Sequence, residues 1–330
     1  MAWLGKITAL ILTYNRKDIL ARCLNATLAQ IEPPDEIIVL DNGSTDGTGE
    51  FLREAGLLSQ VALYRMPENV GPAAGTETLF RLAMERGSDW LWFMDDDTIP
   101  EPDALRELKC AFAENFRRVE DVGFLRSLVV FPNGKPYDLP PVDTRRQRGE
   151  SAVWADRLDA GLVRIRWCQL NSILIPRNTI LQVGSVSPIF YFAGEDTEFT
   201  VRVTDVLPGY LVGKSHATHL KAVSGAFSSV TEPNPDRIGL GRYYYRNNVY
   251  LRWRCYSFRR VLLYVAKSLW DAVRALGAKS RPWYRCGTIL YGLASGFVFA
   301  IRLRRAGVRA ARSDSRPSPV QLSGARSVAL

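Results

Sequence analysis

Histidine and cysteine are scarce in this chain, which has two histidines and five cysteines among 330 residues. The cysteines are scattered, odd in number and without C-x-x-C spacing, so we expect neither a disulfide framework nor a cysteine-bound zinc ion. This usage is typical of a reducing compartment. The N-terminus has a short apolar run and no small-residue cleavage site, which indicates a first strand rather than a signal peptide.

Acidic residues are nearly missing from the last quarter of the sequence. From Arg242 to Arg312 there are 16 lysines or arginines and a single acid, Asp271, which gives +15. Since the whole chain has a formal charge of +9, the remaining residues carry −6. A basic segment on a mildly acidic body suits an anionic partner, either nucleic acid or a membrane surface.

Apolar runs alternate with helical periodicity along the chain, which predicts an α/β protein with a largely parallel sheet and right-handed crossovers. We predict strands at 7–13, 35–42, 61–66, 89–94 and 122–131, and a hairpin or bent strand at 162–176. We predict helices at 16–30, 45–56, 72–87, 195–206, 241–256, 258–276 and 284–307.

Three consecutive aspartates, Asp95 to Asp97, follow the fourth predicted strand. Polar segments also follow the other early strands, and ligands bind beyond the carboxyl ends of strands in such sheets. Crowded carboxylates repel one another unless they bind a hard cation such as Mg²⁺. Asp97 could instead cap a helix that begins near Glu101, but one cap does not account for three aspartates. The sequence therefore predicts a metal site here.

Five motifs, taken in order, resemble the inverting glycosyltransferases of family 2: "ILTYNR", "VLDNGSTDGT", "ENVGPAAG", "WFMDDDTIPEPDAL" and "FAGEDTEFTVRV". The resemblance covers roughly residues 5–250. It implies the GT-A fold, a Rossmann-like nucleotide-binding sheet flanked by helices, here with a C-terminal helical appendage. The triple aspartate and "YYYRNNVYL" are similar to the branch that contains bacterial galactofuranosyl- and rhamnosyltransferases.

The resemblance assigns the donor site to the loops that follow the strands. In this family the first loop borders the base, the second strand ends on a nucleoside-binding aspartate, and the aspartate triplet holds metal, ribose or diphosphate. Nucleotide-sugar binding is thus expected of Thr13, Tyr14, Asn15, Arg16, Asp41, Asn69, Gly71, Asp95, Asp96 and, through its guanidinium, Arg246. Mn²⁺ or Mg²⁺ is expected on Asp95, Asp97 and His219.

Either histidine lies at the distance from the catalytic acid that the family uses for a metal ligand. His216 and His219 follow Asp196 by 20 and 23 residues. In an extended segment, side chains three apart face opposite ways, so only one of the two can face the site. The family's pattern, with the histidine at the end of a short strand, favours His219.

The acceptor side requires a base, because the attacking hydroxyl must lose its proton. The family's Asp-x-Glu pattern selects Asp196 as this base and Glu198 as a residue that orients the acceptor. Glu195 could bind the acceptor, or its negative charge could only interact favourably with the helix dipole. Trp167 and Asn171 lie where the family lines its pocket, although a tryptophan there could equally be buried in the core.

The basic C-terminal region contains 15 uncharged residues at 287–301 between arginines. Since a spanning helix needs ~20 residues, we expect an interfacial helix or shallow hairpin on an anionic membrane, with a dimer interface as the alternative. The predicted partition is a glycosyltransferase domain at 1–236, a basic helical region at 237–312 and a disordered tail at 313–330.

Together these features predict a metal-dependent inverting glycosyltransferase on the cytoplasmic face of a bacterial inner membrane. It would move galactofuranose from UDP-galactofuranose, or alternatively rhamnose from dTDP-rhamnose, to a glycan or lipid-linked acceptor of cell-surface polysaccharide synthesis. A non-catalytic membrane scaffold is the alternative from another class. A nucleotidyltransferase is disfavoured because "TYNRKD" lacks a glycine-rich triphosphate loop, and no nucleic-acid partner is expected.

Overall fold

The computed structural model describes residues 5–145, 153–220, 227–306 and 319–322. The chain divides into two compact units. The sheet unit comprises Met1–Val186, Phe199–Ser224 and Ser315–Leu330, and the helical unit comprises Ser187–Glu198 and Gly225–Asp314. The boundary predicted at residue 236 therefore falls inside the helical unit, which also takes a short internal segment from the predicted catalytic domain.

The sheet unit contains ten strands among its described residues. They are β1 Ile7–Thr13, β2 Glu36–Asp41, β3 Ala62–Arg65, β4 Trp90–Asp95, β5 Thr98–Pro100, β6 Phe124–Val130, β7 Leu162–Ile165, β8 Ile173–Pro176, β9 Gly209–His219 and β10 Val320–Gln321. Its helices are α1 Lys17–Leu28, α2 Thr48–Glu54, α3 Pro72–Glu85, α4 Ala104–Asn115 and α5 Arg177–Val183, and α6 Glu195–Thr204 begins in the helical unit.

The strands form one sheet in the order β10-β3-β2-β1-β4-β8-β6-β9-β5, with β7 beside β9. Strands β3, β2, β1 and β4 are parallel, because helices α1 to α3 return the chain between them. Strand β8 runs antiparallel to both β4 and β6. The α/β class is confirmed, but the expected parallel order holds for the N-terminal half and the other half is mixed.

The early strands are buried on both faces, which is why they appear as unbroken apolar runs in the sequence. Along β1, Ile11 packs in one hydrophobic core and Leu12 in the core on the opposite face. At Gly75 on α3, an added Cβ would lie 2.7 Å from a methyl group of Leu12. Helix α3 therefore packs closely on the sheet and fixes the strand end that leads into the first loop.

Two predictions about strands are corrected by the structure. Residues 162–176 form no hairpin, because β7 pairs with β9 while β8 inserts between β4 and β6. The tail is not wholly disordered, because Val320–Gln321 pairs antiparallel with β3. The other tail residues before and after 319–322 lie outside the described residues. Pairing between distant segments decides both features, and no local pattern encodes it.

The helical unit consists of α7 Pro235–Ile238, α8 Gly241–Cys255, α9 Phe258–Ala275 and α10 Pro282–Ala306, so the three predicted C-terminal helices are confirmed. Tyr245 and Val249 of α8 pack in one core with residues of α9 and α10. Added Cβ atoms at Gly292 and Gly296 would lie 2.7 and 2.8 Å from those two side chains. The glycines thus permit close approach of α10 to α8.

Candidate active site

The loops that follow β1 and β2 are hydrogen-bonded to each other. Asn15, at φ +54°, donates its backbone N–H to Ser44 Oγ at 2.9 Å, and its side-chain oxygen accepts the Thr45 N–H at 2.7 Å. Asp41 ends β2, is 1% exposed and accepts the Ser44 N–H at 2.7 Å. Its other oxygen, Oδ2, lies 3.6 Å from Arg65 Nε and makes no hydrogen bond within the described residues.

The loop after β3 is attached to the same edge through Asn42. The Asn42 amide donates to Asn69 Oδ1 at 3.1 Å and to the Gly71 carbonyl at 3.3 Å, and Asn69 Oδ1 also accepts the Gly71 N–H at 2.9 Å. Gly43, at φ +79°, is needed because an added Cβ would lie 2.6 Å from the Glu68 backbone. The predicted nucleoside residues Asp41, Asn69 and Gly71 therefore belong to interlocked loops.

The middle aspartate of the triplet connects the first loop to β4. Asp96 is 3% exposed and accepts hydrogen bonds from Thr13 Oγ1 at 2.7 Å and Arg16 Nη1 at 3.1 Å. Burial raises the pKa of Asp96 to about 6, because Arg16 and Thr13 only partly offset the loss of hydration. Arg16 also donates to Asp97 Oδ2 at 2.8 Å. The adjacent Tyr14 is exposed.

Asp97 and His219 meet across the antiparallel pair of β5 and β9, in which Thr98 lies opposite His219. Asp97 Oδ1 is buried, makes no hydrogen bond with any described residue and lies 3.3 Å from His219 Nε2. His219 is 4% exposed and stacks on Tyr137, with ring centroids 4.1 Å apart. A buried carboxylate oxygen beside an imidazole nitrogen fits a divalent cation.

The third predicted ligand, Asp95, ends β4 and is half-buried. Within the described ranges, no group of three or more His, Cys, Asp or Glu side chains is placed to hold a metal ion, so Asp95 does not join Asp97 and His219 in one ligand group. Mg²⁺ sites commonly keep few protein ligands and complete their shell with water and phosphate oxygens. His216 is exposed and lines a different depression with Glu101.

Of the residues predicted to line the acceptor pocket, Asn171 is the best defined. It is 2% exposed, accepts from Thr98 Oγ1 at 3.5 Å and donates to Gln169 at 3.1 Å. Thr98 is the strand partner of His219, so Asn171 lies near the predicted metal residues. Trp167 is half-buried, and its predicted contact with a sugar stays a prediction.

The three acids of the predicted catalytic motif occupy the first turn of α6 in the helical unit. Glu195 and Glu198 are 7% and 3% exposed, while Asp196 is half-buried. Negative charge in this turn is favoured by the helix dipole. The arrangement leaves Asp196 as the more accessible carboxylate of the three, and its role as base stays a prediction.

The loop that precedes α6 is held by Asn247 of α8. Its amide nitrogen donates to the carbonyls of Phe190, Phe192 and Ala193 at 2.9, 3.0 and 2.7 Å. Ala193 has φ +62°, which is strained for a residue with a Cβ and persists only where surrounding contacts enforce it. Asn247 therefore fixes the entry to the acidic turn.

Arg246, predicted to bind the donor diphosphate, also supports this loop. Its Nη2 donates to the carbonyls of Ile189 and Phe190 at 2.7 and 3.1 Å, and its Nε donates to Asn247 at 2.9 Å. The guanidinium lies 4.2 Å from the ring centroid of Phe299. Burial lowers the pKa of Arg246 to about 10. Its contact with a diphosphate stays a prediction.

Asn42, Tyr137 and Asn247 are not among the residues predicted from the sequence. Asn42 lies in the motif "DNGS" and Asn247 lies in the motif "YYYRNN". An asparagine in such a motif could have suggested an amide that bonds several backbone or amide groups of another loop. Tyr137 has no local signal, because its stack on His219 joins residues that are distant in sequence.

Comparisons with known proteins identify a family that part of this chain resembles. Residues 8–160 match the model of Glycosyl transferase family 2. Galactofuranosyltransferase GlfT1 of Mycolicibacterium smegmatis is 30% identical over 115 residues, which cover 34% of this chain and 37% of that protein. The chain thus matches little more than a third of this relative's length.

Two solved structures show the fold. TarS of S. aureus has a TM-score of 0.52 at 15% identity, covering 89% of this chain and 44% of TarS. GalNAc-T7, solved with UDP, GalNAc and Mn²⁺, has a TM-score of 0.52 at 14% identity, covering 82% of this chain and 58% of that one. The motifs and the sheet agree with the match of residues 8–160 to glycosyl transferase family 2.

Proposed function

We propose that this protein is a metal-dependent inverting glycosyltransferase that moves galactofuranose from UDP-galactofuranose to a hydroxyl of a glycan or lipid-linked acceptor in bacterial cell-surface glycan synthesis. The observation that carries the proposal is the pair Asp97 Oδ1 and His219 Nε2, 3.3 Å apart and buried. The resemblance of this chain to a galactofuranosyltransferase supports the choice of sugar.

The donor would bind at the loops after β1 to β4. Asp97 and His219 would hold Mn²⁺ or Mg²⁺. The bound metal would neutralise charge on the departing diphosphate. Asp41 Oδ2, buried and without a hydrogen bond among the described residues, suits the N–H of a uracil or thymine ring. Arg16 holds Asp96 and Asp97 in place from the first loop.

The chemical step needs one proton transfer on the acceptor side. The oxygen of the acceptor hydroxyl would bond to the anomeric carbon while the bond from that carbon to the diphosphate breaks. Asp196 would take the proton that the hydroxyl loses. Attack opposite the leaving group inverts the anomeric configuration. The support is the acidic first turn of α6, in which Asp196 is the more accessible carboxylate.

An anionic membrane surface is the partner proposed for the helical unit, on the cytoplasmic side. Helix α9 presents an apolar face that includes Leu263 and Trp270, which are 55% and 64% exposed. Within α10, Pro282–Arg304 is long and apolar enough to cross a membrane, with a mean hydropathy of 1.5, although a core helix passes the same test and 44% of its apolar window is buried. A second copy of the chain is the competing occupant.

The test is release of the nucleoside diphosphate, UDP or dTDP, from nucleotide sugars, with Mn²⁺ and with EDTA. We expect turnover of UDP-galactofuranose that requires metal, and Asp97→Asn should weaken metal affinity at least ~100-fold, since even groups that only orient a ligand contribute 10- to 100-fold. The control is Asp103→Asn, a half-buried aspartate paired with Arg106. Turnover of dTDP-rhamnose alone would identify rhamnose, rather than galactofuranose, as the transferred sugar. The absence of turnover with every donor would indicate a non-catalytic scaffold.

A further inference from the structure

A pocket of about 440 Å³ in the helical unit lies between α8 and α10. Three arginines line it, Arg242, Arg246 and Arg302, and Tyr243, Tyr291 and Ser295 lie among them. No carboxylate is among its lining residues. Three guanidinium groups around one cavity repel one another, so the arrangement calls for an anion.

The arginines keep donors free for such an anion. Arg246 uses Nε and Nη2 for the loop before α6, but its Nη1 bonds to no residue in the described part of the chain. Arg242 donates to Tyr243 OH at 3.1 Å, and neither Arg242 nor Arg302 has a salt bridge to a described acid. Burial also lowers the pKa of Arg246, because the guanidinium loses hydration.

We propose that this pocket binds the phosphate or diphosphate group of a lipid-linked acceptor. Guanidinium groups match phosphate oxygens through paired hydrogen bonds. The phosphate binding stands on the pocket alone, whereas the identity of the lipid as the acceptor rests on the proposed function.

The pocket suits a lipid phosphate better than the diphosphate of the donor because of its apolar border. Tyr291 and Val298, which line it, are 64% and 56% exposed on the same helix that carries the apolar segment. An isoprenoid-like tail could lie along this surface while its phosphate meets the arginines. The donor diphosphate, in contrast, has the metal residues Asp97 and His219 for its charge.

The test measures binding to the full-length protein by calorimetry, without metal, using farnesyl diphosphate, inorganic pyrophosphate and UDP as probes. Arg242→Gln and Arg302→Gln should each weaken the binding of farnesyl diphosphate about 10-fold, because the loss of one hydrogen bond to a charged group lowers affinity by about that factor. Arg260→Gln is the matched control, because it removes the same charge from an exposed position of α9 outside the pocket. Both pocket variants leave the loop contacts of Arg246 intact, so folding is preserved.

Farnesyl diphosphate should bind more tightly than pyrophosphate and UDP, and Asp97→Ala should leave its affinity unchanged. The proposal is overturned if the Arg242→Gln/Arg302→Gln double variant binds farnesyl diphosphate as tightly as the wild type does. It is also overturned if the arginine variants weaken the binding of UDP and leave that of farnesyl diphosphate unchanged. Failure of sugar transfer with phosphate binding intact would reject the proposed function and leave this site standing.

Discussion

At the scale of single residues, the two histidines form a natural pair for comparison. His219 is buried beside Asp97, whereas His216 is exposed on the opposite face of β9. The difference arises because alternate side chains of a strand face opposite ways and these two are three positions apart. Strand β9 thus offers one residue for the proposed metal site and one residue as an internal control.

We expect His219→Asn to weaken Mn²⁺ affinity at least ~100-fold and His216→Asn to change it less than twofold. The amide is smaller than the imidazole and loses the stack of His219 on Tyr137, so the unfolding temperature of each variant is measured alongside. Mn²⁺ titration of UDP release measures the difference. Equal losses in both variants would remove His219 from the proposed site.

Asp196→Asn tests the base, since the amide retains the shape and loses the basicity. The turnover number should fall ~10²–10⁴-fold while the affinity for the nucleotide sugar stays near that of the wild type. The measurement is steady-state transfer combined with donor binding by calorimetry. A parallel loss of donor affinity would instead place Asp196 in the donor site.

At the scale of secondary-structure elements, two side chains of α8, Arg246 and Asn247, hold the loop before α6, and Asn247 bonds the larger number of its carbonyls. Asn247 bonds three carbonyls of that loop, whereas its neighbour Asn248 bonds, among the described residues, only the Tyr244 carbonyl of its own helix at 3.0 Å. Because buried carbonyls that lose a donor are costly, the two asparagines should differ sharply in their contribution.

Asn247→Ala should lower the free energy of unfolding by ~1–3 kcal/mol, and it should reduce turnover because the acidic turn loses its support. Asn248→Ala, the matched control, should change stability by less than ~0.5 kcal/mol. Denaturant unfolding and transfer assays measure the two effects. Similar stabilities for both variants would show that the loop holds its conformation without Asn247.

At the scale of the whole molecule, the charge is concentrated where the apolar surface is exposed. The segment from Arg242 to Arg312 carries +15, and α9 and α10 present large apolar side chains to solvent. Removing these helices would also uncover Tyr245 and Val249 of α8, which pack in a shared core. Point substitutions on the exposed face of α9 are therefore a cleaner test of membrane binding than truncation.

Trp270→Ser and Leu263→Ser should each weaken binding to anionic vesicles about 10-fold, since burial of one large apolar side chain contributes ~1.5–3 kcal/mol. Binding should also decrease with salt and be poor on neutral vesicles. Leu181→Ser, which alters a 66% exposed leucine of the sheet unit, is the control. Indifference to lipid charge, together with a change from dimer to monomer in the variants, would make this face an oligomer interface.

The sequence by itself determined the elements whose signal is local. Buried strands such as Ile7–Thr13 and helices such as Pro72–Glu85 were predicted within two residues, because apolar runs and 3.6-residue periodicity are properties of short segments. The motifs also indicated the resemblance to glycosyl transferase family 2 and the edge of the sheet that carries Asp41 and the aspartate triplet.

Only the tertiary structure decided the contacts that join distant segments. Asp97 and His219 meet through the pairing of β5 with β9, and Asn247 reaches carbonyls 57 residues away. The arginines of the helical pocket come from two helices whose glycines allow close packing. Such contacts depend on which elements pack together. The free energy that favours this packing comes from contacts throughout the core, so no single segment of the sequence encodes it.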